Sequence, residues 1–205
     1  MATRQITITP MSPDRVEEAG RVLGAAFASS PLERAVRGPI DERQHRGLVI
    51  AYTATCRLSG QVRIALSEQR IVGVIRWVES PRCQLRLGEK LAMAPTAIGA
   101  FGRNLPKALM WVSRWSKRDP SRPHVHLGPI GVTPELQGRG IGSEMLSLYC
   151  EEVDLAGKPG YLETDKRENV RLYERFGFEV QNEAELLGVR NWFMWRAPTR
   201  QRSVT

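Results

Sequence analysis

The sequence predicts an α/β domain in which one mixed sheet is packed against helices. Runs of alternating apolar and polar residues indicate strands, and runs with apolar residues three and four apart indicate amphipathic helices. Along the chain these patterns give the order strand, helices, hairpin, helices, strand, helix, strand, helix and two closing strands. Because strands and helices are interleaved in this way, we expect one sheet with helices packed on it.

The first part of the chain predicts a strand, two helices and a β-hairpin. Alternating apolar residues predict strands at residues 5–9, 61–66 and 71–78. Helical spacing predicts helices at residues 16–27 and 41–58. Ser12 or Asp14 can cap the first helix, and Pro31 should end it. Gly60 is a stop signal for the second helix.

The second part predicts a helical segment followed by alternating strands and helices. Residues 85–118 have helical character, although prolines and glycines interrupt them, and their apolar stripe of Leu105, Leu109, Val112 and Trp115 should pack on the core. Strands are predicted at residues 124–132, 161–164, 178–180 and 189–195, and helices after Gly140 and at residues 169–176. We therefore expect one domain at residues 1–197, with a helical insertion at about 85–120 and a disordered tail at 198–205.

Composition and charge restrict the class of protein. The chain has 205 residues, of which 41% are hydrophobic and 25% are charged, so a disordered chain is excluded. Its three cysteines form no C-x-x-C pair, which argues against a disulfide framework or a zinc ribbon. We see no secretory signal and no apolar run of ~20 residues, so we expect a cytoplasmic protein with no membrane partner. The net charge of +8 suggests an anionic ligand.

A glycine-rich turn is the sharpest local signal. It comprises Gln137, Gly138, Arg139, Gly140, Ile141, Gly142 and Ser143, and it joins a predicted strand to an amphipathic helix. Glycines let backbone N–H groups converge, and a helix N-terminus adds partial positive charge, so the turn suits a pyrophosphate. The spacing is neither that of a P-loop nor that of a dinucleotide fingerprint. The alternative is that these glycines merely form a tight connection.

Two motifs in this order resemble the GNAT superfamily of acyl-CoA N-acyltransferases. Residues 137–142 resemble its Q-x-x-G-x-G signature, and residues 169–178 resemble its second motif, which ends in Y-E-x-x-G-F. Leu162, Glu163 and Thr164, together with Trp192, Phe193 and Met194, resemble the puromycin N-acetyltransferase-like branch. The resemblance implies a mostly antiparallel sheet with helices on both faces and two central strands that separate. It covers most of residues 5–197.

The resemblance also implies acetyl-CoA as co-substrate and names the residues that would bind it. The glycine-rich turn would hold the pyrophosphate, and Asn169 and Tyr173 would contact the cofactor. The backbone of Ile130, Gly131 and Val132 would pair with the pantetheine arm, and a bulge at Gly128 and Pro129 would separate this strand from its neighbour. A backbone N–H near Ile130 or Gly131 could support the oxyanion.

The implied reaction is direct attack of an amine on the thioester, without an acetyl-enzyme. Tyr173 aligns with the tyrosine that acts as the acid in the family; alternatively it is only a packed aromatic residue. Glu163 is the first candidate for the base, acting through water, and its alternative is a surface carboxylate or the partner of an arginine. His126 shares a strand face with His124 and is a second candidate, with water as the third. With no cysteine near these histidines, we expect no metal and no Cys–His nucleophile.

The leading prediction is an N-acetyltransferase, an acyltransferase that transfers groups other than aminoacyl groups, acting on a primary amine of a small molecule. A protein amine as acceptor, or a noncatalytic acyl-CoA-binding module, are the alternatives. Nucleic-acid binding has only the positive charge and two tryptophans in its favour. The sequence does not distinguish a monomer from a homodimer, and it does not identify the acceptor, the acyl-chain preference or the role of the basic residues 103–122.

Overall fold

The computed structural model describes residues 6–199 of the chain. Its strands are β1 (Thr7–Pro10), β2 (Gln61–Ser67), β3 (Arg70–Glu79), β4 (Val125–Val132), β5 (Gly160–Thr164), β6 (Glu179–Leu186) and β7 (Val189–Arg196). Its helices are α1 (Val16–Phe27), α2 (Pro31–Arg37), α3 (Glu42–Arg57), α4 (Leu87–Phe101), α5 (Leu105–Ser116), α6 (Ile141–Leu155) and α7 (Arg167–Glu174). Short 3₁₀ turns lie at Pro13–Arg15, Gly102–Asn104 and Pro134–Leu136.

The strands form one mixed sheet in the order β1-β2-β3-β4-β5-β7-β6. Every neighbouring pair is antiparallel except β4 and β5, which are parallel. Helices α6 and α7 contribute Met145, Leu146, Tyr149 and Tyr173 to the core on one face, and α1 and α3 contribute Leu23 and Leu48 to the core on the other. The predicted fold class, a mostly antiparallel sheet with helices on both faces, is confirmed.

The two central strands separate soon after they meet. Strand β5 pairs with β4 only at Val125–Gly160 and at His126–Tyr161. Beyond this point β4 stays paired with β3, and the register between β3 and β4 shifts where Gly128 and Pro129 stand opposite Arg76 alone. The extra residue is a bulge, which bends the strand. The predicted separation of the central strands and the predicted bulge are therefore both present.

Helix α2 was not predicted, because Ser30 and Pro31 were interpreted only as the end of the preceding helix. They are instead the start of a new one. Ser30 is the N-cap, its Oγ accepts a hydrogen bond from Glu33 N–H at 3.2 Å, and Pro31 occupies the first turn. Proline at this position is a start signal, since its missing N–H would be unpaired there in any case.

The apolar stripe predicted for residues 105–115 is partly wrong. Leu109 and Val112 are each 58% exposed. Trp115 does pack on the core as predicted, and Trp111 packs beside it, against a smaller cluster that includes Leu32 of α2 and Phe193 of β7. The helix is rotated toward this cluster because two tryptophans bury more apolar surface than a leucine and a valine.

The last hairpin is longer than predicted. Strand β6 extends to Leu186, whereas its predicted end was residue 180. Gln181, Asn182, Glu183 and Glu185 are polar and exposed, as is typical of an edge strand, and the apolar alternation is limited to Ala184 and Leu186.

The predicted tail begins within the described part of the chain. The N–H group of Thr199 donates to Asp154 Oδ1 at 2.8 Å, while residues 200–205 lie outside the described residues. Within residues 6–199, no helix combines the length and apolar character that a membrane span requires.

Candidate functional site

A cleft of about 550 Å³ opens where β4 and β5 separate. One wall is the C-terminal half of β4, and the floor is the turn that leads into α6. Helix α7 forms the second wall, and Phe27, at the end of α1, and Ser30, the N-cap of α2, close the side. The cleft therefore has backbone groups on one side and side chains on the other.

The glycine-rich turn presents an open backbone to this cleft. Gly138 and Gly140 have φ of +75° and +89°, a conformation that other residues adopt only with strain. A Cβ at either position would meet no atom within 4 Å, so the space above the turn is free. Gly140 is also the N-cap of α6, whose first N–H groups have no partner within the helix. The turn is thus an open site for an anion.

Backbone groups of β4 also face the cleft. Thr133 N–H donates to Val72 O of β3, whereas Val132 O accepts a hydrogen bond from the Gln137 side chain on the opposite side. Because backbone groups alternate in direction along a strand, those of Val132 and Ile130 point away from β3 and toward the cleft. Those of Gly131 point toward β3, so Ile130 is the better of the two predicted oxyanion donors.

The structure brings together all but one of the predicted cofactor contacts. The cleft is lined by Ile130, Gly131, Val132, Gln137, Gly138, Gly140, Ile141, Gly142, Ser143, Asn169 and Tyr173. Arg139 is exposed and is not among the lining residues. Gln137 also has a structural role, because its Nε2 donates a hydrogen bond to Val132 O at 3.0 Å and so fixes the turn against β4.

Tyr173 lies in α7 at the wall of the cleft. Its ring is buried against Phe178, with 6.0 Å between the ring centroids, and its hydroxyl has no hydrogen-bond partner among residues 6–199. Burial raises the pKa of Tyr173 well above its ordinary value. The phenol therefore stays protonated near neutral pH, which is the form that can give up a proton.

Glu163 occupies an enclosed position on β5. Its side chain is 4% exposed, and its Oε2 lies 2.8 Å from Nε2 of His126. The predicted alternatives, a surface carboxylate or an arginine partner, are therefore wrong. Glu163 is not among the residues that line the cleft. To reach a group bound there, it would have to act through water.

The histidines of β4 lie next to a cysteine that the sequence did not place there. Cys83, in the turn after β3, has its Sγ 3.9 Å from His124 Nε2 and 3.2 Å from Asp119 Oδ2. The expectation that no cysteine lies near these histidines is wrong, and the expectation of no Cys–His nucleophile rested on it. The expectation of no metal loses its basis. Cys83 is only half-buried and does not line the cleft.

Asp119, His124 and His126 stabilise one another in their charged forms. Burial would raise the pKa of Asp119, but hydrogen bonds from His124 and His126 hold it well below its ordinary value. Burial would lower the pKa of His124, but Asp119 and Cys83 raise it to about 9. The pKa of His126 is likewise raised, since the charge of Glu163 and the hydrogen bond to Asp119 exceed the opposing effect of burial.

Asp165 and Lys166 are among the residues that line the cleft and that the sequence did not predict. Asp165 follows β5, and its Oδ2 accepts hydrogen bonds from Ser30 Oγ at 2.6 Å and from Leu32 N–H at 2.8 Å. Lys166 Nζ lies 2.9 Å from Ser29 Oγ. These contacts join the start of α2 to the end of β5. The Ser30–Pro31 helix start could have been recognised, but its contact with Asp165, 135 residues away, has no local signal.

Comparison with known proteins gives one family and many similar folds. A family model described as the acetyltransferase (GNAT) family matches residues 32–178. A structure described as histone acetyltransferase HPA2 and related acetyltransferase from Corynebacterium glutamicum aligns with a TM-score of 0.68 and 19% identity, over 97% of this chain and 99% of that one.

Two further similar structures are described together with a bound ligand or a reaction. An acetyltransferase of the GNAT family from Brucella melitensis, in complex with acetyl-CoA, aligns with a TM-score of 0.53 and 18% identity, over 98% of this chain and 92% of that one. A polyamine N-acetyltransferase from Drosophila melanogaster, which forms N-acetylagmatine, aligns with a TM-score of 0.61 and 18% identity, over 93% and 98%. At these identities the likeness concerns the fold.

Proposed function

Because the chain belongs to the acetyltransferase (GNAT) family, we propose that it transfers the acetyl group of acetyl-CoA to a primary amine of a small molecule. The observation that carries this proposal is the cleft between the separated strands, which joins an open glycine turn, an unpaired strand edge and a buried tyrosine. Acetyl-CoA has a pyrophosphate, an amide-bearing arm and a thioester, and the cleft offers one partner for each. The Brucella relative with bound acetyl-CoA supports the choice of co-substrate.

The glycine turn would bind the pyrophosphate through its backbone. The N–H groups of Gly138, of Gly140 and of the first three residues of α6 have no hydrogen-bond partner within residues 6–199, and the helix dipole favours a negative charge at this end. No Cβ fills the space above the two glycines. Arg139 would contribute only its charge near the rim, because its side chain does not line the cleft.

The free edge of β4 would hold the pantetheine arm and the thioester. The amides of the arm can pair with the backbone of Val132 and Ile130 in the way that a further strand would. The Ile130 N–H would then be placed to stabilise the negative charge that develops on the thioester oxygen during attack. The side chain of Asn169, which donates to Thr164 Oγ1 at 3.4 Å, would border the arm on the other wall.

Two proton transfers accompany the reaction. The attacking nitrogen must lose a proton, and Glu163 is proposed to receive it through water. The sulfur of CoA leaves as a thiolate, and Tyr173, whose hydroxyl has no other partner among the described residues, is proposed to protonate it. The attack is direct, so no acetyl-enzyme forms.

A closed wall favours a small acceptor over a protein segment. The hydrogen bond from Ser30 Oγ to Asp165 Oδ2 bridges the start of α2 and the end of β5 beside the cleft. A bridged wall leaves a pocket, whereas a protein acceptor needs a groove that continues across the surface. The Drosophila relative that forms N-acetylagmatine shows that this fold can act on a small amine.

Calorimetric titration of the purified chain with acetyl-CoA tests the co-substrate, with ATP and NAD as controls. We expect micromolar binding of acetyl-CoA alone. Release of CoA thiol is then followed with a panel of small primary amines and with lysine-containing peptides. Turnover with peptides only would replace the small-molecule acceptor by a protein, and binding without any turnover would favour a noncatalytic module. A folded protein that does not bind acetyl-CoA would overturn the proposal.

The proposed base is tested with Glu163→Gln, which keeps the shape of the side chain and removes its ability to accept a proton. We expect turnover to fall by ~100-fold or more while acetyl-CoA affinity is unchanged. Glu185→Gln, on strand β6, is the control. Unchanged turnover in Glu163→Gln would show that Glu163 is not the base and that its role is limited to the contact with His126.

A further inference from the structure

We propose that Cys83, Asp119, His124 and His126 form a binding site for one zinc ion, separate from the acetyl-transfer cleft. One ligand atom from each of the four residues lies within 4.8 Å of the other three. The residues come from the turn after β3, the segment after α5 and the start of β4. The proposal does not rest on the proposed function, since none of the four lines that cleft.

The distances fit a tetrahedral ion. Asp119 Oδ1 lies 3.2 Å from His126 Nδ1 and 3.3 Å from His124 Nε2, and Cys83 Sγ lies 3.9 Å from the same His124 nitrogen. Ligands of a tetrahedral zinc ion lie ~3.3–3.6 Å apart, given the usual zinc–nitrogen, zinc–oxygen and zinc–sulfur bonds. The remaining pairs of ligand atoms are at most 4.8 Å apart, so the side chains would have to draw together slightly around the ion.

Both histidines have their outer nitrogen occupied by an oxygen acceptor. His124 Nδ1 lies 2.9 Å from Arg122 O, and His126 Nε2 lies 2.8 Å from Glu163 Oε2. If each outer nitrogen carries the proton and donates it, each inner nitrogen keeps a lone pair directed into the cluster. This pairing of a ligating histidine with an oxygen acceptor is usual around zinc.

The lone pairs of the cluster need a positive charge between them. The two inner nitrogens face the same carboxylate oxygen of Asp119, which cannot donate a hydrogen bond when ionised. The second oxygen of Asp119 is held by Gln84 Nε2 at 2.7 Å, so the carboxylate is fixed in place. Either an extra proton on each histidine or one cation satisfies this arrangement.

The ligand types select zinc over the common hard cations. A thiolate and two imidazoles suit zinc, whereas calcium and magnesium prefer oxygen ligands only. The side chains of His124 and Asp119 are 0% and 7% exposed, and that of His126 is 18% exposed, so the site is enclosed but can be reached from solvent. Four protein ligands leave no open position, which is typical of a structural zinc site.

The ion would tie the helical insertion to the sheet. Asp119 follows α5, and the other ligands lie at the ends of β3 and β4. It would also hold His126 with its Nε2–H directed at Glu163. His126 would then have no lone pair left to act as a base, which removes it from the three candidates.

Metal content of the untagged full-length chain, purified from zinc-containing medium, is the first test. We expect about one zinc ion per chain by plasma mass spectrometry, and a loss of nearly all of it in Cys83→Ser. Cys150→Ala and His45→Gln are matched controls that should keep the metal, since both residues lie outside the cluster. Equal zinc in Cys83→Ser would overturn the proposal, because the ion would then be bound elsewhere.

Cobalt substitution tests the ligands directly. After removal of metal with a chelator, added Co²⁺ should give the visible absorption of a tetrahedral ion and a thiolate-to-cobalt charge-transfer band that Cys83→Ser lacks. The chelator should also lower the melting temperature, and zinc should restore it. If Cys83→Ser does not fold, Asp119→Asn and the chelated wild-type chain serve instead. A folded wild-type chain with neither zinc nor a thiolate band would show that only protons occupy the cluster.

Discussion

Two buried tyrosines of the same core differ in what their hydroxyl groups contact. Tyr149 OH donates to Val125 O at 2.7 Å, whereas Tyr173 OH has no partner among the described residues and borders the cleft. Loss of the Tyr149 hydroxyl would leave the Val125 carbonyl without this partner in the core, which costs free energy. The Tyr173 hydroxyl is not among the fully buried atoms that lack a partner within residues 6–199, so it is open to the cleft and available to a bound ligand.

Tyr173→Phe and Tyr149→Phe should have opposite effects. Tyr173→Phe should lower turnover by up to ~100-fold with little change in acetyl-CoA affinity or in the free energy of unfolding. Tyr149→Phe should lower the free energy of unfolding by ~1–2 kcal/mol and leave turnover per folded molecule unchanged. Steady-state kinetics and denaturant unfolding measure the two quantities. Unchanged turnover in Tyr173→Phe would reduce this tyrosine to a packing role.

The glycine turn can be tested with a single carboxylate. Gly140→Asp would place a negative charge within a few ångströms of the bound pyrophosphate, and such a repulsion is worth ~3–4 kcal/mol near a protein surface. We expect acetyl-CoA affinity to fall by ~100-fold or more in calorimetric titration.

Gly188→Asp is the matched control for that variant. Gly188 has φ of +76° and no atom within 4 Å of an added Cβ, so the backbone strain and the free space are comparable with those at Gly140. It lies in the turn between β6 and β7, away from the glycine turn. Comparable loss of affinity in both variants would mean that strain, and not the phosphate contact, causes the effect.

Among the elements, α6 and β7 are joined by one ion pair. Arg196 donates from two nitrogens to the two carboxylate oxygens of Asp154, both at 2.7 Å. The side chains are 9% and 20% exposed. The hydrogen bonds from Arg196 lower the pKa of Asp154 below its ordinary value, and Thr199 N–H adds to this effect. The ionised carboxylate is therefore the form that the folded state favours.

The variant Asp154→Asn tests this ion pair, because its effect on the free energy of unfolding should depend on pH. The folded state lowers the pKa of Asp154, so the contribution of the carboxylate is complete above the ordinary pKa of 3.8 and is lost as the pH falls further. We expect Asp154→Asn to cost about 1 kcal/mol at neutral pH and progressively less in acid. Denaturant unfolding at several pH values measures this.

The exposed pair of Glu79 and Lys158 gives a control for the same measurement. Its side chains are 57% and 40% exposed, so Glu79→Gln should change the free energy of unfolding little at any pH. A cost in Asp154→Asn that does not vary between neutral and acid pH would contradict an effect of charge.

At the scale of the whole molecule, the net charge of +8 bears on how an anionic co-substrate approaches. Charges spread over a surface act at long range and speed the association of an oppositely charged ligand. The Debye length shrinks from about 30 Å at 0.01 M salt to about 10 Å at 0.1 M salt. We expect the association rate constant for acetyl-CoA, measured by stopped flow, to fall by up to ~10-fold over this range.

Acetylated pantetheine, which lacks the phosphates, is the control ligand. Its association should be nearly independent of salt because it carries no charge. If the association rate constants of both ligands depended on salt in the same way, salt would be changing the conformation of the protein. Charge attraction to the ligand would then not be the cause.

Most of the residues that line the proposed cofactor side of the cleft could be predicted from sequence because they are close together in the chain. The glycine turn, Asn169 and Tyr173 lie in two short segments, and β4 precedes the first of them directly. Positive φ at Gly138 and Gly140, and the helix start at Gly140, are properties of the segment itself. Arg139 was included because it lies within the motif, but nothing in the sequence shows which way one exposed side chain of a turn is directed.

The sequence by itself determined the order of most strands and helices, the family and the turn suited to a phosphate, because periodicity and glycine positions act within a few residues. Only the tertiary structure decided which side chains meet across long separations. Cys83 reaches His124 over 41 residues, Ser30 reaches Asp165 over 135, and Glu163 faces His126 over 37. These contacts depend on which distant strands become neighbours and where they separate, and a pattern that acts within a few residues specifies neither.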